Sequence, residues 1–125
     1  MAIGGIHIPA SGMQANRLRV DVSANNVANI NTDGFRASTV QTTDAAYSNN
    51  IGQGTKVSGV YTPPTPSPMA AVGAADGRGG MTILSNTDAA TEITGQMTAE
   101  KAYAVNVSVV RTMDDMLGTL LDIKR

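Results

Sequence analysis

Apolar residues recur along the last third of the chain at Ala99, Tyr103, Val110, Met113, Leu117 and Leu120, alternating steps of four and three, with Asn106 in the one gap. That spacing describes a helix offering a seam to another helix, as in a coiled coil. A second row at Ala102, Val109, Met116 and Ile123 widens the seam into the stripe of a helix with more than one neighbour. Asp88 stands where an N-cap is needed, Glu92 falls in the first turn, and Lys124 and Arg125 end the segment where the helix dipole favours cations. The pattern predicts a helix over 89–124, about 54 Å long.

A weaker stripe of the same period runs through Ile3, Ile6, Ala10, Met13, Val20, Ala24 and Val27, with Arg17 interrupting it. Ser11 and Gln14 have capping-box spacing and Pro9 lacks an amide hydrogen, which predicts that this helix begins near Ser11. It should end near Asn31, where Asn29, Asn31 and Asp33 favour turns and Gly34 can take a positive φ. Between the two stripes the sequence is dense in Gly, Thr, Ser and Pro, notably Pro63, Pro64, Pro66 and Pro68 and then Asp76 to Gly80. The Pro run reads as semi-rigid and polyproline-like, the Gly run as a flexible loop. Within this stretch β-branched residues predict short strands over 35–41, 55–61 and 81–84. The chain therefore divides into an N-terminal helical segment (1–31), a loop and short-strand middle (32–88) and a C-terminal helix (89–125). The fold class expected is mainly α, one structural unit in which the terminal helices pair as a coiled-coil hairpin. A long isolated helix gains little from propensity alone, so the C-terminal stripe needs covering. Its N-terminal counterpart is shorter and interrupted, which predicts that other copies of the chain supply the rest.

Composition narrows what such a molecule can do. At 125 residues it holds at most one domain, and 15% charged residues with a formal net charge of −1 give no basic surface for nucleic acid. No stretch reaches the apolar length of a membrane-spanning helix, so no membrane insertion is expected. The apolar start, Met1 to Ala10, has no preceding Lys or Arg and lacks the order of a cleavable signal. Aromatic residues are Phe35, Tyr47, Tyr61 and Tyr103 alone, so burial must be aliphatic. With no cysteine and a single histidine, His7, thiolate metal sites, disulfides and cysteine nucleophiles are ruled out. His7 has no acid at fixed spacing to orient it as a base. Asp114 and Asp115 are adjacent on a helix and point about 100° apart, as on a solvated face. Gly77 to Gly80 lacks the following Lys-Ser or Lys-Thr of a phosphate loop. No catalytic group, cofactor or metal is expected. The cluster Asn25, Asn26, Asn29 and Asn31 is more informative. Asparagine is unfavourable inside a helix but bonds backbone groups at its ends, and buried amides can also fix the register between packed subunits.

The run Ser11-Gly12-Met13-Gln14-Ala15, Arg17-Leu18, Asp21-Val22, Ala24-Asn25-Asn26-Val27-Ala28-Asn29 and Asn31-Thr32-Asp33-Gly34-Phe35 resembles the N-terminal signature of bacterial flagellar basal-body rod and hook proteins. Met97-Thr98-Ala99-Glu100-Lys101-Ala102-Tyr103-Ala104-Val105-Asn106 and Met116-Leu117-Gly118-Thr119-Leu120-Leu121-Asp122-Ile123 resemble the C-terminal motif of that family. Gly54-Thr55-Lys56-Val57 and the Pro-rich stretch are most like the proximal-rod FlgC branch. Val72 to Gly80 stands where that branch has a Tyr, Asp, Pro, Gly, His and Pro block, and Ala104 replaces the acidic residue usual after the tyrosine.

The resemblance implies a structural, non-enzymatic subunit of the basal-body rod. It implies export by the flagellar type III apparatus without cleavage, self-assembly through terminal helices, and torque transmission for motility. The implied partners are the chain itself, other rod proteins and the export apparatus. Residues expected to meet neighbouring subunits are Met13, Leu18, Val20, Asn25, Asn26, Val27, Asn29, Asn31, Gly34 and Phe35 from the first helical segment, and Ala99, Tyr103, Asn106, Val110, Met113, Leu117 and Leu120 from the second. Two alternatives remain: another helical-assembly or adaptor subunit of distal-rod, hook-like, phage-tail or secretion-apparatus kind, whose stripe and Gly/Pro middle would look the same, and a small enzyme or ligand-binding domain, which would need convergent polar groups in a large apolar pocket and which a long helical hairpin would oppose.

Overall fold

Helix formation starts earlier than the capping pattern suggests. A computed structural model describes residues 5–45, 52–64, 66–72 and 80–123, and its first helix, α1, spans His7–Ala28. Ile6 occupies the N-cap without a side-chain cap. Pro9 is tolerated because a first-turn residue needs no intrahelical donor. Ser11 is inside the helix: its hydroxyl donates to the Ile8 carbonyl at 2.7 Å and accepts the amide of Thr55 at 3.0 Å. The expected cap is thus a tether between α1 and the middle segment. Asn29 ends α1 as its C-cap, its amide hydrogen shared by the Asn25 and Asn26 carbonyls at 3.2 Å each, while the Ile30 amide donates to the Val27 carbonyl at 3.2 Å. Tight turns follow, and Gly34 takes φ 72° as expected.

The second helix, α2, covers Ala89–Ile123. Asp88 caps it: one carboxylate oxygen accepts the Ala90 amide at 3.1 Å and the other the Thr91 hydroxyl at 2.8 Å. The Thr91 hydroxyl, then the Ala90 amide, hold the Asp88 carboxyl below its ordinary value of 3.8. A lowered folded pKa means stabilisation that is present above the ordinary carboxylate range and lost as pH falls through the folded value. Asp88→Ala is therefore expected to lower the thermal midpoint at neutral pH, and the difference from the unsubstituted chain should vanish in strong acid. A gap that persists undiminished at the lowest pH would mean the carboxylate is not the cap.

Two hairpins lie between the helices. In the first, β1 (Thr39–Asp44) pairs antiparallel with β2 (Thr55–Tyr61), Thr39 opposite Tyr61 and Asp44 opposite Thr55, with a bulge after Gln41. In the second, β3 (Met69–Val72) pairs antiparallel with β4 (Gly80–Ile83), Met69 opposite Ile83. The strand over 55–61 falls where its β-branched residues predict it, and the one expected at 81–84 begins a residue earlier. The strand expected at 35–41 instead begins at Thr39, because residues 35–38 bond to other partners. The Phe35 carbonyl accepts the Asn86 amide at 3.4 Å, and the Ala37 amide donates to Asn86 Oδ1 at 2.7 Å. Strand β3 was not anticipated, since the prolines before it suggested extended linker throughout. Expectations placed on Ile3, on Gly77–Gly79 and on Lys124 and Arg125 lie outside the described residues.

The two helices run antiparallel. Gly5 lies at the level of Met113, Gly12 faces the Asn106 amide, and the Ser23 hydroxyl donates to the Glu92 carbonyl at 3.1 Å. Among the strand residues whose burial is described, Val40 of β1 is the one in the core, beside Val22, Ser23 and Gly95 where the helices meet. Arg19 ties α1 to β1 by a bond to the Thr42 hydroxyl at 3.0 Å. The second hairpin hangs from the turns after α1 through Gly34 N–H to the Ile83 carbonyl, 2.7 Å, and from the Pro-rich stretch through Leu84 N–H to the Pro68 carbonyl, 2.8 Å.

Gly54 stands where the first hairpin comes close to α1. It has φ 98°, and a Cβ there would collide with the Ser11 hydroxyl and lie 3.2 Å from Ile8 Cα. Gly54→Ala should lower unfolding stability by about 2–4 kcal/mol, from left-handed strain plus overpacking. Gly34→Ala, where φ is also positive but nothing lies within 4 Å, should cost only about 1–2 kcal/mol. Chemical denaturation of the two variants checks the order, and equal midpoints would remove the steric role of Gly54.

Candidate assembly surface

What α1 buries within the chain is small and polar. Its covered residues are Pro9, Ala15, Asn16, Ser23 and Asn26, with Pro9, Asn16 and Ser23 at seven-residue intervals. This face lies about a quarter-turn round the helix from the apolar stripe of Ile6, Met13, Val20 and Val27, at 100° per residue. Small side chains let the helices approach closely, and the polar ones require bonds in the interface. The intramolecular pairing therefore does not use up the apolar stripe of α1. Met13, Leu18, Val20 and Val27 stay half-buried and Ala24 is exposed.

Asn26 is the centre of the polar face. It is 1% exposed, and every polar atom of its side chain is engaged. Its Nδ2 donates to the Ser38 carbonyl at 2.8 Å and to Glu92 Oε1 at 2.9 Å, and its Oδ1 accepts the Ser38 amide at 2.9 Å. One amide thus fastens α1, the approach to β1 and the first turn of α2. The other asparagines of the cluster do different work. Asn29 Nδ2 donates to the Asn25 carbonyl at 2.9 Å, while its Oδ1 accepts the Thr32 hydroxyl at 3.1 Å, so it shapes the helix end. Asn25 and Asn31 have exposed side chains. Gly34 supplies the turn, and Phe35 is half-buried beside it.

Ser23, Ser38, Asn86 and Glu92 complete this clasp, and sequence reasoning missed Ser23, Ser38 and Asn86 altogether. The available signal was the seven-residue spacing of Pro9, Asn16 and Ser23 with Asn26 one turn further, a small and polar heptad face that an apolar search passes over. Glu92 was read only as a first-turn acid. Its carboxylate in fact reaches across to Asn26.

On α2 the seam is divided. Ala99 is buried, and Asn106, Val110, Met113 and Leu117 are half-covered. Tyr103 and Leu120 are exposed. Beyond the level of Gly5, α2 continues from Asp114 to Ile123, and there Leu121 is 73% and Ile123 76% exposed. A further row, Val105, Val109, Met116, Leu120 and Ile123, at steps of four, seven, four and three, is exposed along one side of the helix. The shallow groove of about 510 Å³ between Val105, Val109, Met113 and Met116 is walled by α2 alone. A larger one of about 520 Å³ lies where Ile8, Gly12 and Arg19 of α1, Thr55 of β2, and Asn106 and Met113 of α2 converge. The hydrophobic residues fully buried among the described residues are Ala15, Val40 and Ala99, so most of the large apolar side chains of α2 remain in water. A face of that extent is the mark of an association surface.

Among the described residues no helix is long and apolar enough to cross a membrane, and no group of three or more His, Cys, Asp or Glu could hold a metal ion. His7 Nε2 lies 3.1 Å from Gln53 Oε1, a bond between α1 and the loop before β2.

A paired-helix unit with an open apolar face and no convergent catalytic groups among the described residues has the form of a structural subunit. Two family models match the chain at its two ends: "Flagella basal body rod protein" over residues 6–36 and "Flagellar basal body rod FlgEFG protein C-terminal" over residues 78–123. Together they span more than half of it, and they include α1, its terminating turns, the Asn26 clasp and the whole of α2. The chain belongs to the flagellar basal-body rod and hook family, whose members are structural components of the basal body and not enzymes. No curated protein matches it at a significant level.

Proposed function

We propose that the chain is a self-assembling rod subunit whose exposed α2 row and half-covered α1 stripe pack against neighbouring copies and other rod proteins as coiled-coil layers, and that the resulting tube carries torque. The observation supporting this is the mismatch between the faces: the clasp is satisfied inside the chain, while the apolar row of α2 is left in water and the stripe of α1 is only half-covered. Heterologous contacts of this kind repeat without closing and build a filament. Of the α2 seam residues assigned to subunit contact, Tyr103 and Leu120 are left exposed by the intramolecular pairing, Asn106, Val110, Met113 and Leu117 are half-covered, and Ala99 is taken up inside the chain. Export through the flagellar type III apparatus is part of the same reading.

Within the rod we place the subunit in the proximal section, as a protein of the FlgC kind. Support comes from the brevity of the segment joining the helices, which holds two small hairpins and no inserted domain among the described residues. A distal-rod or hook-like position is the alternative, favoured by the description of the C-terminal match. Basal bodies isolated from a strain lacking this protein separate the two: absence of the whole rod supports the proximal position, and a truncated rod still attached to its base supports the distal one. Self-assembly itself is tested by sedimentation and circular dichroism over a concentration series. Mass and helicity should rise together, and a chain that stays monomeric with constant helicity at the highest concentration would end the proposal.

A further inference from the structure

The chain has seven methionines and no cysteine, so thioethers are its only oxidisable sulfur. Those in the described residues fall into two environments. Met13 and Met113 are half-covered, and Met113 Cε sits 3.5 Å from where a Cβ on Gly5 would be. Met69, Met81, Met97 and Met116 are 58%, 67%, 53% and 54% exposed. Met69 lies opposite Ile83 in the second hairpin, and Met97 is on the side of α2 that carries Ile93. Met116 alone of these four stands within the exposed row of α2, between Val109 and Leu120.

We propose that Met116 is a redox-sensitive position: a hydroperoxide converts its thioether to the sulfoxide in the free chain, and the modified chain assembles less well. The sulfur lone pair attacks one oxygen of hydrogen peroxide. The O–O bond breaks as the S–O bond forms, sulfur is oxidised by two electrons, and the departing hydroxide takes a proton to leave as water. The product is a strong acceptor in the middle of an apolar row, and the neighbouring hydroxyls cannot serve it. Thr112 already donates to the Ser108 carbonyl at 3.0 Å and Thr119 to the Asp115 carbonyl at 2.9 Å. Packing another subunit over that oxygen buries it without a donor, which weakens association by about tenfold or more. Contact with a neighbour shields the sulfur, so oxidation acts on subunits before they join. This consequence rests on the α2 row being a subunit contact; the order in which the sulfurs react does not.

The experiment treats the full chain with graded hydrogen peroxide, maps sulfoxides by peptide mass spectrometry and measures association by sedimentation. Expected results are sulfoxide at Met116 several-fold sooner than at Met113, about tenfold weaker association once Met116 is converted, and association that survives the same treatment in Met116→Leu but not in Met97→Leu. Met113 reacting as fast as Met116 would overturn the assignment of the site. Unchanged association of fully converted protein, or equal loss in Met116→Leu, would overturn its effect. If untreated protein does not associate at all, the self-assembly reading falls and takes the regulatory consequence with it, leaving the order of oxidation to stand or fall on the mapping.

Discussion

Asn26→Ala should lower the unfolding stability of the chain by about 2–4 kcal/mol, more than any other single asparagine substitution among the described residues. The estimate follows from what is left behind. The Ser38 amide and carbonyl lose the partners they meet at 2.9 and 2.8 Å, and Glu92 loses a donor at 2.9 Å, bonds that converge on a side chain only 1% exposed from partners that are themselves half-buried. Each buried polar group left unpaired costs about 1–3 kcal/mol, with partial rehydration reducing the sum. Asn26→Asp is the sharper test because shape is preserved. Its new oxygen would face the Ser38 carbonyl and the Glu92 carboxylate, an acceptor against two acceptors and a charge against a charge. The Asp variant should be at least as unstable as the Ala variant at neutral pH. It should recover as pH falls, because burial and the Glu92 charge raise the carboxyl's folded pKa, so the penalty is complete above that value, shrinks below it and is gone only below the ordinary carboxylate value of the unfolded chain. Denaturant midpoints for both variants between neutral pH and moderate acid check this. An Asp variant as stable as the unsubstituted chain at neutral pH would show that the clasp contributes little.

Leu120→Asp with Ile123→Asp should abolish self-assembly and motility while leaving the folded monomer intact. Both side chains are exposed, at 59% and 76%, so charge there meets only water in the isolated chain. Burying two carboxylates under a neighbouring helix would cost far more than that contact supplies. Substituting Val110 and Leu117 instead would be ambiguous, because those residues are already half-covered and a charge would strain the helix itself. The check is sedimentation of the double variant beside its circular dichroism spectrum, with swimming scored in a complemented strain. Normal swimming with both substitutions in place would refute the role of the α2 row.

The two helices, the cap at Asp88, the turn at Gly34, the strand over 55–61 and the family are all legible in the order of the residues. Each of these rests on local chemistry or on a long signature: a period of apolar residues, a carboxylate before a first turn, a glycine where φ must be positive. Which face each helix turns toward the other emerges only when distant segments come together. Periodicity reports that a stripe will be covered without saying by what, and the apolar stripe of α1 invited pairing with that of α2. The choice fell instead on Ala15, Asn16, Ser23 and Asn26, because close approach needs small side chains and because Ser38 and Glu92, 12 and 66 residues from Asn26, arrive to bond its amide. No local pattern carries bonds over such separations. By the same route Ser11, a cap in sequence terms, became a tether to β2, and residues 35–38 were drawn from a strand into the partnership with Asn86. The apolar rows remain on the outside because the inside was closed by hydrogen bonds.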